Sequence, residues 1–173
     1  KMLIDTHCHL DSSQYFDDLD KVCDRAKEVG VESIIIPAAL PEDMRLAQEI
    51  SQRYDFIYFA AGAHPDAAHM YDRDVTKEFL SHPKCVAVGE CGLDYYRIHA
   101  TDTDIKELQK KVFIDQLELA LECDKPLIIH IREATHDSFE LIKKHAPKHK
   151  GVLHCYNAAH ELLELSDSYY YGI

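Results

Sequence analysis

Long apolar runs are missing from this chain. No segment approaches the roughly 20 apolar residues of a membrane span, and the N-terminus lacks the basic-then-apolar layout of a signal peptide. The expectation is a cytoplasmic protein with no membrane partner. Disulfide patterning is missing as well. The six cysteines (Cys8, Cys23, Cys85, Cys91, Cys123 and Cys155) form no C-x-x-C pair and follow no scaffold spacing, as reduced thiols would. Positive charge is scarce: 19 Lys and Arg stand against 31 Asp and Glu, a formal net charge of −12. That balance excludes a broad duplex-gripping surface, because phosphate contacts need Lys and Arg. It leaves room for a small nucleic-acid site where bound cations supply the charge. No linker or low-complexity tract interrupts the chain, and nothing marks an obligate protein partner.

Histidine is abundant, with 12 in 173 residues. We expect His69, His82, His99, His145, His149 and His160 to be solvent-exposed and without a role.

Seven short apolar runs punctuate the chain: MLID (2–5), VESIIIP (31–37), FIYFAAG (56–62), CVAVGE (85–90), PLIIHI (126–131), GVLHCY (151–156) and YYYGI (169–173). Their length and richness in Ile, Val, Phe and Tyr suit buried parallel strands. Helical stripes lie between them. One joins Leu19, Val22, Cys23, Ala26 and Val29 and ends at Gly30; a second joins Met44, Ala47, Ile50 and Tyr54 after Pro41. A third joins Leu108, Val112, Leu117, Ala120 and Leu121, and a fourth joins Phe139, Ile142 and Ala146. Alternating strands and helices imply an α/β fold with a parallel sheet and helices outside it. A (β/α)8 barrel of the TIM type needs an eighth strand and typically about 250 residues. Residues 1–173 therefore read as a single domain, a barrel cut short near its seventh strand.

Metal-ligand side chains recur where these strands end. "MLIDTHCHLD" breaks from an apolar run into His7 and His9, which alternation would turn to the same side. Glu90 closes the fourth run, His130 the fifth and His154 the sixth, and His64 follows the third. Each alone has a plain structural explanation, such as a capped turn or a core histidine bonded to a carbonyl. Together they fall at the C-terminal ends of successive strands, where parallel-barrel enzymes place their sites. The chemistry that fits is a two-metal hydrolytic centre: His7 and His9 on one ion, His130 and His154 on the other, and Glu90 bridging them. Imidazole and carboxylate donors suit Zn²⁺, Mn²⁺ or Fe²⁺, with Mg²⁺ a further candidate.

In order and spacing, "IDTHCHLD", "AAGAHP", "VGECGLDYY", "KPLIIHIREA" and "GVLHCYNA" resemble the motifs of the TatD family of metal-dependent deoxyribonucleases, amidohydrolase-like enzymes on a distorted TIM barrel. The resemblance implies a nuclease that attacks phosphorus with a metal-activated hydroxide and removes nucleotides from the 3′ ends of single-stranded or frayed DNA. It matches His7, His9, Glu90, His130 and His154 to metal ligands, and it sets His64 beside the substrate. Arg132 is expected to hold a phosphate and Asp94 to orient a ligand from behind.

The chain departs from the family pattern in two places. His154-Cys155-Tyr156-Asn157-Ala158 stands where the family usually has H-C-F-S-G, and no residue matches the family's aspartate after the eighth strand. Two other readings stay open. One is a related hydrolase acting on another ester or amide, such as a D-aminoacyl-tRNA; the other is an inactive truncated barrel. A phosphotriesterase-type site would carry a bridging lysine on the fourth strand, whereas this chain has Glu90 there and Lys84 at the opposite end.

Overall fold

Every one of the seven apolar runs forms a strand. A computed structural model describes residues 3–146 and 148–173, and Met2, counted in the first expected strand, lies outside them. The strands are β1 (Leu3–Asp5), β2 (Val31–Ile36), β3 (Ile57–Ala61), β4 (Cys85–Asp94), β5 (Leu127–Arg132), β6 (Gly151–His154) and β7 (Tyr169–Tyr171). They pair in parallel and in chain order, from β1 at one edge to β7 at the other. Five α-helices are present among the described residues: α1 (Leu19–Glu28), α2 (Asp43–Arg53), α3 (Arg73–Leu80), α4 (Thr103–Glu122) and α5 (Thr135–His145).

The sheet curls as part of a barrel without closing. Leu3, Ile4, Tyr170 and Ile173 are exposed in the groove between its two edges. Strand alternation sorts the interior into two layers. Ile34, Ile36, Ile57, Phe59, Leu127, Ile129 and Leu153 point outward and pack with Met44, Phe113, Leu117 and Phe139 from the helices. The opposite parity points inward, where Ala60, Ala87 and Ile128 form a small second cluster against Ile35. His130 is two residues beyond Ile128 and so shares the inner face.

Several boundaries differ from the sequence-based expectation. β4 runs four residues past Glu90 to Asp94, and His130 lies within β5 because Arg132 continues the pairing with Asp94. β6 ends at His154, where Cys155 turns away at φ 49°. The helix α3 was not anticipated. It has eight residues and buries only Thr76 and Leu80, too few for a visible stripe, and the Asp72 side chain caps it by accepting from the N–H of Asp74 and Val75. Leu108 and Leu121 were expected on the buried face of α4, but both are exposed. That face is instead built from Gln109, Val112, Phe113, Gln116, Leu117, Leu119 and Ala120. Val29 is exposed at the end of α1, where Gly30 takes φ 92°.

Of the histidines expected to be exposed, His69, His99 and His160 are. His82, His145 and His149 are half-buried and partnered: His82 accepts from the Lys84 N–H, His145 pairs with Glu118, and His149 meets the Lys125 carbonyl.

The N-terminal ends of the strands are tied by lysines. The Lys84 ammonium donates to the carbonyls of Tyr54, Asp55 and Ile57 at 3.3, 2.7 and 3.2 Å, closing the turn between α2 and β3. A Lys84→Met substitution keeps the packing stem and removes all three bonds. Urea denaturation is expected to show a loss of about 1–3 kcal/mol, with chemistry at the far end of the strands unchanged.

Candidate metal centre

Glu90 is 4% exposed, and each of its carboxylate oxygens faces a different histidine. Oε2 lies 3.2 Å from His7 Nε2, and Oε1 lies 2.8 Å from His130 Nδ1. Burial by itself would raise the Glu90 pKa. The hydrogen bonds and positive charge of His130 and His7 outweigh it and hold the carboxyl well below the usual carboxylate range.

Glycine makes this approach possible. Gly89 and Gly92 flank Glu90 at φ 151° and 144°. A Cβ on Gly89 would sit 2.6 Å from the Ile128 carbonyl oxygen, and one on Gly92 only 1.9 Å from that of His130. Both must be glycine for β4 to lie this close to β5.

His7 and His9 lie beyond the last residue of β1, in a loop still tied to β2 by the Cys8 N–H donating to the Ile35 carbonyl at 3.1 Å. Their rings meet edge to face with centroids 5.0 Å apart. Donor atoms of His7, His9 and Glu90 all fall within 4.8 Å of one another, and His7 Nδ1 is buried without a hydrogen-bond partner. The neighbouring Asp11 carboxylate raises the His9 pKa against the effect of burial. The Asp11 carboxylate is buried 3.8 Å from His9 Nδ1.

On the other side, His130 is gripped at both nitrogens. Nδ1 faces Glu90, and Nε2 lies 3.0 Å from Asp94 Oδ2. Desolvation would lower its pKa, yet the two carboxylates raise it. Asp94 is itself saturated: Arg132 donates to Oδ2 from Nε and Nη2 at 2.8 and 2.6 Å, and the Tyr96 N–H donates to Oδ1 at 3.0 Å. The Arg132 guanidinium also lies over the Tyr96 ring. The residue expected to meet phosphate is thus already committed at two of its three nitrogens.

His154 is the one expected ligand placed differently from its partners. Its ring stacks on His7, with centroids 3.4 Å apart and planes within 8°. It falls outside the second donor cluster, which consists of His64, Asp94 and His130. Burial, with His7 alongside, brings the His154 pKa down to about 4, so its ring is neutral at pH 7. His64 lies 4.4 Å from His130 between ring centroids. Its Nδ1 accepts the Asp66 N–H at 3.1 Å, and burial lowers its pKa. A neutral His64 in that setting carries its proton on Nε2.

The cysteines beside the ligands are quiet. Burial raises the Cys8 thiol pKa to about 11 and pushes that of Cys91 up further, so neither forms the reactive thiolate near neutral pH.

Sequence reasoning passed over Asp11, Gln109 and Gln116. Asp11 sits in the first motif two residues past His9. The glutamines are polar residues seven apart on the buried face of α4, a pattern visible once that face is assigned correctly.

A curled parallel sheet with imidazoles and carboxylates gathered at the C-terminal ends of its strands defines a barrel-type α/β protein with a candidate metal centre. A family model described as TatD related DNase matches residues 4–173, and the chain belongs to that family. It is 42% identical over 165 residues to the uncharacterized metal-dependent hydrolase YabD of Bacillus subtilis, covering 93% of this chain and 63% of that protein. It is 31% identical over 166 residues to the 3′-5′ ssDNA/RNA exonuclease TatD of Shigella flexneri, covering 94% and 62%. The crystal structure of YjjV, a TatD homologue from Escherichia coli, superposes with a TM-score of 0.86 at 31% identity, covering 99% of this chain and 67% of that one. The chain thus spans less than two thirds of the length of the two curated relatives.

The turn after β6 bears on the family departure. Ala158, where the family usually has glycine, takes φ 60°. The left-handed backbone costs a non-glycine residue about 1–2 kcal/mol, and glycine returns part of that as entropy. Ala158→Gly is expected to raise stability by about 0.5–1 kcal/mol in urea denaturation. A neutral or destabilising result would contradict this account of the turn.

Proposed function

We propose that this chain carries the site of a metal-dependent phosphodiesterase acting on DNA, with single strands and 3′ ends as its substrate and two divalent ions as its cofactor. The observation that carries the reading is the buried Glu90 carboxylate, which offers one oxygen toward His7 and the other toward His130. One carboxylate placed this way can serve two cations, and it limits their mutual repulsion.

The residues fit such ions. His7 has a buried nitrogen with no hydrogen-bond partner, and Glu90 is ionised despite its burial. His154 is neutral and able to offer a lone pair. When bound, the ions supply Lewis acidity and lower the pKa of water toward neutrality. His7, His9 and Glu90 would hold the first ion; Glu90, His130 and His154 would hold the second. Asp94 fixes the tautomer of His130 by accepting from Nε2, which leaves Nδ1 for coordination. His64 donates from Nε2 to a phosphate oxygen, and Arg132 meets phosphate through its remaining nitrogen. The acidic chain disfavours long duplex contacts, in keeping with a short single-stranded substrate. Six free thiols, three of them buried, suit a reducing cytoplasm.

A second reading of the second ion is favoured by the clustering of His64, Asp94 and His130. Against it, Asp94 already accepts from Arg132, Tyr96 and His130, and His64 Nδ1 accepts from Asp66. We therefore assign the second ion to His154.

Metal content of the folded chain, together with hydrolysis of bis-p-nitrophenyl phosphate and single-stranded DNA, tests both points. About two ions are expected, with loss of one or both in Glu90→Ala and loss of one in His154→Ala but not in His64→Ala. Activity in Glu90→Ala should fall by more than the roughly 10–100-fold typical of a lost outer partner. Turnover of lactones or amides without phosphodiesters would overturn the reading. Ion loss in His64→Ala with retention in His154→Ala would move the second site.

A further inference from the structure

The helix α4 sends two glutamines into the core, and both do the same thing. Gln116 Oε1 accepts the Ala63 N–H at 2.8 Å, and its Nε2 donates to the Ala63 carbonyl at 3.2 Å. Gln109 Oε1 accepts the Asp94 N–H at 3.0 Å, and its Nε2 donates to the Asp94 carbonyl at 3.2 Å. Each amide is at most 2% exposed, and each engages both backbone groups of a single residue, as a neighbouring strand would.

The location of these clamps gives them meaning. Pairing between β3 and β4 stops at Ala61 with Val88, although β4 continues to Asp94. Past that point the backbones at Ala63 and Asp94 need partners, since buried peptide groups left unpaired are costly. The glutamines supply them. Gly62 leaves the space, because a Cβ there would come within 2.6 Å of Gln116 Oε1. Gly62, the glycine of the AAGAHP motif, thus has a physical reason in this chain.

Ala63 immediately precedes His64, and Asp94 holds His130 Nε2. His64 and Asp94 stand beside His130, one with ring centroids 4.4 Å away and the other hydrogen-bonded at 3.0 Å. The two glutamines are seven residues apart, two helical turns on one face, or about 10.5 Å along a rigid axis. We propose that Gln109 and Gln116 are positioning residues: acting through the backbone, they set where His64 and Asp94 stand around His130. This deepens the proposed function, since it gives the spacing of that half of the site to a helix that contributes no side chain to it.

The test uses the chain as it is and does not require that it be active. Gln109→Met and Gln116→Met keep side-chain volume and remove the clamp. Phe113→Leu, buried on the same helix and bonded to neither backbone, is the control for lost stability. The readout is the imidazole ¹H–¹⁵N spectrum at one fixed pH. We expect the His64 signals to move in Gln116→Met and the His130 signals to move in Gln109→Met, with both unchanged in Phe113→Leu. Where phosphodiesterase activity is present, kcat should fall by about 10-fold or more in the Met variants with KM little changed, as for a lost outer partner. Wild-type imidazole signals in folded Met variants, or equal displacement in the control, overturn the proposal whether or not the chain hydrolyses phosphodiesters. If a Met variant does not fold, the matching Gln→Glu variant decides. A buried carboxyl between a backbone donor and acceptor stays protonated and keeps one acceptor and one donor in place. Wild-type signals in that variant support the clamp, and displaced signals overturn it.

Discussion

A carboxylate buried as deeply as Glu90 survives only if donors meet both of its oxygens, and much of this structure answers to that requirement. The donors come from opposite sides of β4. His130 reaches it from β5, the adjacent strand, whereas His7 follows β1, three strands away. Only a curled sheet can bring both to one carboxylate. The stacking of His7 on His154, which ends β6, is a second sign of that curvature. Close approach of β4 to β5 in turn depends on Gly89 and Gly92, where no side chain fits.

Strand alternation divides the work between the two faces of the sheet. Large aliphatic and aromatic side chains face the helices and fill the outer layer. The inner face is lined by small residues such as Ala60 and Ala87, and it leaves room at its C-terminal end for the imidazoles. The polar groups there are nested: Arg132 neutralises Asp94, Asp94 holds His130, and His130 faces Glu90. Each buried charge has a partner of opposite sign or a hydrogen-bond donor, so the cluster tolerates burial that an isolated charge would not. The chain's excess of acid lies outside this nest, much of it exposed.

Much of the fold was legible because buried parallel strands are apolar on both faces. The runs VESIII and PLIIHI announce themselves without any pattern analysis, and the strand order follows from the regular alternation with helices. Failures arose where local sequence is ambiguous. In α4, apolar residues occur on several faces, so Leu108 and Leu121 read as core while Gln109 and Gln116 carry no signal of their own. The long helix was recognised, but its rotation was set by what it packs against. The short α3 buries too little to leave a stripe, and its start depends on the Asp72 cap. His82, His145 and His149 read as exposed for a similar reason, since a half-buried histidine is identified by its partner and not by its neighbours in sequence.

The candidate ligands were visible as residue types at strand ends, because metal-ligand chemistry restricts the choice to His, Cys, Asp and Glu and the parallel fold restricts the place. The sequence by itself determined the α/β class, the seven strands and the set of histidines with Glu90. Tertiary structure alone decided which of them meet. It put His154 against His7 and clasped Arg132 onto Asp94. It also used two glutamines of α4 as surrogate strands. Those outcomes depend on distances between segments far apart in the chain, set by sheet curvature and helix rotation, and no local pattern of residues encodes them.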